Sequence, residues 1–179
     1  MKRGFFRTLL VLMMTTALVV GTASISFAAT SPKSIKYQGS GKVTVAFKTK
    51  VTYKDVSVTV KDSGGKSYKT SIKSKGNTSI TFLIKSYKAG KTYKVTVGGL
   101  NSASVKGSFK IYSKTKAASV AKSKAKTEWK ASGFKNVKVS SGSCKSVSAW
   151  RVTFEDSEGR SYLYFIGQQT GKFLSGGLV

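Results

Sequence analysis

Histidine is absent from the 179 residues, and cysteine and proline occur once each, as Cys144 and Pro32. Acidic residues are nearly as scarce, six in all: Asp55, Asp62, Glu128, Glu155, Asp156 and Glu158. Each shortage closes off chemistry. Without histidine there is no serine or cysteine triad of the usual kind and no common zinc site. One cysteine cannot form an intramolecular disulfide. In an exported chain it suggests either a spare thiol or an intermolecular bridge through Cys144. Six carboxylates are too few for most hydrolase or metal constellations. Glu155, Asp156 and Glu158 gather at one turn but lack the spacing of a calcium loop, and Arg160 stands beside them. No glycine-rich loop leads into a helix, where a phosphate would be cradled. The expectation is a protein that is not an enzyme, with no catalytic residue, no cofactor and no metal.

Residues 1–29 read as a signal peptide. Lys2, Arg3 and Arg7 precede an apolar run from Leu9 to Val20, and Ser26-Phe27-Ala28 is a small-x-small signal with cleavage after Ala28. The run is short for a membrane span, which needs about 20 residues. The mature chain is therefore expected to have no transmembrane span and to be secreted, with retention at the cell wall.

What the chain has in excess is lysine. Lys and Arg number 32, for a formal charge of +26, of which +23 remains beyond the leader. Residues 30–113 carry +15 and residues 114–179 carry +8. Such a surface attracts polyanions with a strength that falls as salt rises. For an exported protein, of Gram-positive type, the nearest are anionic wall polymers and the membrane surface. Specific nucleic-acid binding is not expected. Only Arg151 and Arg160 of the mature cations are arginine, the residue suited to bidentate base contact, and no nucleic-acid-binding motif appears. Lysines on solvent faces also discourage edge-to-edge aggregation, which is the bland alternative.

Residues 30–113 are almost all strand and turn. Ser34–Tyr37, Lys42–Phe47, Val56–Val60, Ser67–Ile72, Ser79–Ile84, Tyr93–Val97 and Val105–Tyr112 alternate apolar and polar positions. Turn residues separate them: Gly39-Ser40-Gly41, Asp62-Ser63-Gly64-Gly65, Gly76-Asn77 and Gly90. Seven short strands at intervals of about 8–12 residues are the pattern of an immunoglobulin-like β-sandwich. Tyr87 to Val97 resembles the tyrosine-corner segment of fibronectin type III and bacterial immunoglobulin-like domains. By that resemblance Tyr93 starts the penultimate strand and hydrogen-bonds back across the corner.

Composition shifts at Lys114. From there to Gly133 the chain is rich in Ala and Lys, with Ala118, Ala121, Ala125 and Trp129 at helical spacing on one face. Ser113 or Thr115 caps the start, and Gly133-Phe134 fits a left-handed end. A thin alanine face suits close packing on a sheet better than a membrane surface. Val137 and Val139 begin a strand, and Ser140–Ser146 reads as loop. Trp150–Phe154 and Ser161–Ile166 are strands joined at Asp156–Gly159. The second is apolar on both sides, hence central or covered twice. Thr170-Gly171 turns the chain into Lys172–Leu174.

This last stretch resembles the PepSY family, small α+β domains of bacterial secreted and membrane proteins and of protease propeptides. The resemblance rests on Trp150, Val152 and Phe154, the glycine turn, Tyr162 and Tyr164, and Thr170-Gly171-Lys172, and spans residues 114–179. Where the family has an acid before the Thr-Gly pair, Gly167, Gln168 and Gln169 stand, so no role for that acid carries over. The expected fold is mainly β with a small α+β part: an immunoglobulin-like sandwich (30–113), then a PepSY-like domain (114–179) with one helix packed on an antiparallel sheet. The expected function is a non-enzymatic envelope or extracellular binding protein, its PepSY-like module engaging protein or peptide. Trp150, Tyr162 and Tyr164 are the candidate contact residues. The resemblance also implies an alternative, regulation or inhibition of a secreted peptidase.

Overall fold

The computed structural model describes residues 30–101 and 103–179. The leader and its Ala28 cleavage position lie outside them. The described chain is mainly β. In order it forms β1 (Ser34–Tyr37), β2 (Lys42–Ala46), β3 (Tyr53–Asp62), β4 (Ser67–Tyr68), β5 (Thr70–Gly76), β6 (Ser79–Ile84), β7 (Thr92–Leu100) and β8 (Val105–Lys110). Helix α1 (Lys114–Trp129) follows, then β9 (Lys135–Cys144), β10 (Val147–Glu155), β11 (Ser161–Gly167) and β12 (Phe173–Leu178). Three antiparallel sheets result, ordered β1-β2-β6-β5, β4-β3-β7-β8 and β12-β11-β10-β9.

Alternation decides the inward faces of the first two sheets. Val43 and Val45 on β2, and Ile80, Phe82 and Ile84 on β6, are buried. So are Val60, Val95, Val97, Val105 and Phe109 from the other sheet. Most of the outward positions between them are polar, and Thr44 and Thr81 share a 2.8 Å hydroxyl contact across the pair. Rings close one end of this core: Tyr37 stacks on Phe109, Phe109 on Tyr93, and Tyr93 meets Tyr68 edge-on. With no disulfide available, this apolar and aromatic packing is what holds the two sheets together.

Seven expected strands become eight. Ser67–Ile72 is not one strand: Ser67 and Tyr68 pair with β3, and from Thr70 the chain pairs with β6 in the other sheet. Alternation alone does not reveal such a crossing, because both halves keep the same period.

The helix begins at Ser113, whose Oγ accepts from the Lys116 amide at 3.1 Å. It ends three residues before the expected glycine, at Lys130 with φ 54°, whose amide donates to the Ala125 carbonyl. That left-handed residue turns the following Ala131 into the core. The buried stripe keeps the expected Ala121 and Ala125 but differs at both ends. Ala117, Ala121 and Ala125 are fully covered, Ala118 is half-buried, and Trp129 is exposed. Alanine at every fourth position lets the helix lie close across all four strands of the third sheet. Strand β11 sits inside that sheet, as its apolar character suggested. Ser140–Cys144 is not a loop. It continues β9 along β10, and Lys145 and Ser146, both at positive φ, make the tight turn.

One seven-residue pattern is used twice. Asp62-Ser-Gly-Gly-Lys-Ser-Tyr68 joins β3 to β4, and Asp156-Ser-Glu-Gly-Arg-Ser-Tyr162 joins β10 to β11. In the first, Asp62 Oδ1 accepts from the Gly64 and Lys66 amides at 3.0 and 3.1 Å, and Oδ2 accepts from the Tyr68 hydroxyl at 3.1 Å. In the second, Asp156 Oδ1 accepts from Glu158 and Arg160 amides at 3.0 and 2.9 Å, and Oδ2 accepts from Tyr162 at 2.9 Å. Gly65 and Gly159 take positive φ, 83° and 77°, at matching places. A cation completes each turn, Lys91 at 3.9 Å from Asp62 and Arg160 at 2.7 Å from Asp156.

Candidate polyanion-binding surface

The aromatic residues expected to contact a partner are interior. Trp150, Tyr162 and Tyr164 are 4%, 1% and 0% exposed and face α1. Trp150 Nε1 donates to the Tyr112 carbonyl at 2.9 Å, and the Tyr162 hydroxyl is spent on Asp156. Strand alternation puts them on one face correctly, but the helix then covers that face. In this structure their side chains pack in the interior. Cys144 is half-buried at the end of β9, opposite Val147. At the acidic turn, Arg160 bonds Asp156 and reaches Glu158 at 3.2 Å, while Glu155 accepts from Asn136 Nδ2 at 2.8 Å.

Two glutamines to which the sequence pattern assigns no role tie the parts together. Gln169 Oε1 accepts from the Tyr37 amide at 2.9 Å, and its Nε2 donates to the Ile35 carbonyl at 2.7 Å. A side-chain amide thus pairs with the open edge of β1 as another strand would. The neighbouring Gln168 is buried, donates Nε2 to the Ala149 carbonyl, and accepts on its own carbonyl from the Tyr112 amide. No sequence period marks these positions. Only the meeting of distant backbone edges gives them work. Gln169→Leu is expected to cost about 1–3 kcal/mol, since two half-buried backbone groups lose partners. Hydrogen exchange checks it: the Tyr37 amide should exchange faster while the β6 amides keep their protection.

The lysines are what the molecule presents outward. Among the described residues, only Lys91, Lys124 and Arg160 lie within 4 Å of a carboxylate. The outward face of β3, β7 and β8 carries Lys61, Lys94 and Lys106 among Thr59, Thr96 and Ser108. The solvent side of α1 carries Lys122 and Lys126, beside Phe134 and the hydroxyls of Thr115, Ser119 and Ser123. Two lysine- and hydroxyl-lined faces therefore occur on separate parts of the fold. Such arrays attract anions by charge, and their hydroxyls add hydrogen-bond donors. No described helix is long and apolar enough to cross a membrane.

The chain matches no known family model, no curated protein and no solved structure.

Proposed function

We propose that this chain is a non-enzymatic secreted or cell-envelope binding protein. Its lysine surface holds it against anionic wall polymers, and its helix-backed third sheet engages a protein or peptide. The observation that carries the reading is the lysine array left without carboxylate partners on outward faces. The finer fold assignment has its own support. In the lettering of immunoglobulin-like sandwiches, β1-β2-β6-β5 reads A-B-E-D and β3-β7-β8 reads C-F-G, with β4 an added edge strand. Tyr93 is the second residue of the penultimate of these strands, and its hydroxyl donates to the Lys88 carbonyl and accepts from the Lys88 amide, both at 2.7 Å. That is the bonding expected of a tyrosine corner. One helix on a four-stranded antiparallel sheet supports the PepSY-like reading of residues 114–179.

The test is retention of residues 30–179 on purified cell wall. Binding is expected at low salt, with release by about 1 M salt, where the screening length falls to about 3 Å. Retention that ignores salt would sink the reading.

A second reading, regulation of a secreted peptidase, is favoured by the outer face of the third sheet. There Leu163 and Phe165 are only half-buried and Val147 is 45% exposed. A measurable inhibition constant against a secreted peptidase supports it; absence of inhibition across such peptidases counts against it.

A further inference from the structure

We infer that the outward face of β3, β7 and β8 is a specific phosphate-binding groove for a phosphodiester-linked polymer, more than one patch among many on a basic surface. The inference rests on the polyanion reading above and assigns it a place.

Register builds the groove. Lys61 lies opposite Lys94, and Lys94 opposite Ser108. On the next rung Thr59 lies opposite Thr96, and Thr96 opposite Lys106. Strands are spaced about 4.8 Å and same-face rungs about 6.7 Å. Three ammonium groups and three hydroxyls therefore occupy a two-rung lattice around a shallow trough of about 580 Å³. All three lysines are exposed, and none is within 4 Å of a carboxylate among the described residues. Like charges directly opposite one another destabilise a sheet pair. Lys61 against Lys94 is such a pair, and a bound anion relieves the repulsion.

The mixture of donors selects the ligand class. Ammonium groups bond the charged oxygens of a phosphate, and hydroxyls bond its ester oxygens or the alcohols of the linker. Among the described residues, no aromatic ring and no arginine lines the trough. It therefore has no stacking platform for bases and no bidentate fork to read them. A base-free phosphodiester chain gains all the contacts the groove offers, and a nucleic acid gains no more.

The experiment measures affinity of the full mature chain for a lipid-free glycerol-phosphate polymer across a salt series. Wild type is compared with K61Q/K94Q/K106Q and with K48Q/K50Q/K85Q, which removes equal charge from exposed positions elsewhere. At 50 mM salt the groove variant is expected to bind at least about tenfold more weakly. Its salt slope should shrink by about 2, at about 0.7 per lost phosphate contact on a flexible chain. The control should lose less than about threefold. The polymer should raise the wild-type melting temperature and leave that of the groove variant nearly unmoved, and unliganded melting verifies that both variants fold. Thr96→Val, which keeps all charge, should weaken binding with the slope unchanged.

Equal losses in the two triple variants would overturn the groove while leaving the wall reading intact. No wild-type binding to polymer or wall would overturn both. Tighter binding to single-stranded nucleic acid, or binding only to phosphatidylglycerol vesicles, would overturn the ligand class.

Discussion

Trp150→Ala is expected to lower the unfolding free energy by about 3–5 kcal/mol, the usual loss for a large buried aromatic. The side chain is 4% exposed, and its indole N–H holds the Tyr112 carbonyl in the segment leading from β8 into α1. Trp150→Phe keeps most of the ring and loses that bond, so a smaller loss of about 1–3 kcal/mol is expected. Urea midpoints on the two variants read the difference. A residue at a contact surface behaves otherwise: alanine there leaves the midpoint unchanged and weakens binding alone. An unmoved midpoint for Trp150→Ala would return Trp150 to the partner surface.

Acid should destabilise the protein through its two matched hairpins. Burial works to raise the carboxyls of Asp62 and Asp156. The hydrogen bonds from backbone amides, from Tyr68 or Tyr162, and from Arg160 outweigh it and hold both below the usual aspartate range. The same environment pushes the Tyr68 hydroxyl up to about 12, burial first and Asp62 second. A carboxyl with a depressed folded pKa binds its proton more readily in the unfolded chain. Its contribution is therefore complete above the unfolded value of about 3.9 and is lost as pH falls through the folded value. Between pH 6 and pH 2.5 the wild-type melting temperature should fall steeply. Asp62→Asn and Asp156→Asn should each start lower at pH 6 and flatten that fall. The Asp156 variant should be the worse, because an amide N–H₂ then faces Arg160 Nε at the 2.7 Å position. An unchanged acid slope in the double variant would place the acid sensitivity elsewhere.

These hairpins mark what could have been read and was not. Each aspartate was legible as turn chemistry, and the repetition of Asp-Ser-x-Gly-cation-Ser-Tyr is plain once the two segments are aligned. Its meaning is spatial, since the tyrosine six residues on returns to the carboxylate only because a tight turn reverses the strand. Gln169 shows the opposite case. Nothing within its neighbourhood distinguishes it from a surface glutamine, and its partners are 132 and 134 residues away.

By itself the sequence determined the strand periods, the helix and a cap at Ser113 or Thr115, the absence of an internal disulfide and the basic charge. All of these depend on neighbours within a few residues or on composition. Tertiary structure decided where the period could not reach. It split Ser67–Ile72 between two sheets and extended β9 through a serine-rich stretch by pairing it with β10. It moved the helix end to Lys130, because Ala131 had a core to enter. It buried Trp150, Tyr162 and Tyr164, since an apolar strand face is a contact surface only until another element covers it. The lysine lattice likewise exists only through register, which brings Lys61, Lys94 and Lys106 from three strands onto one face.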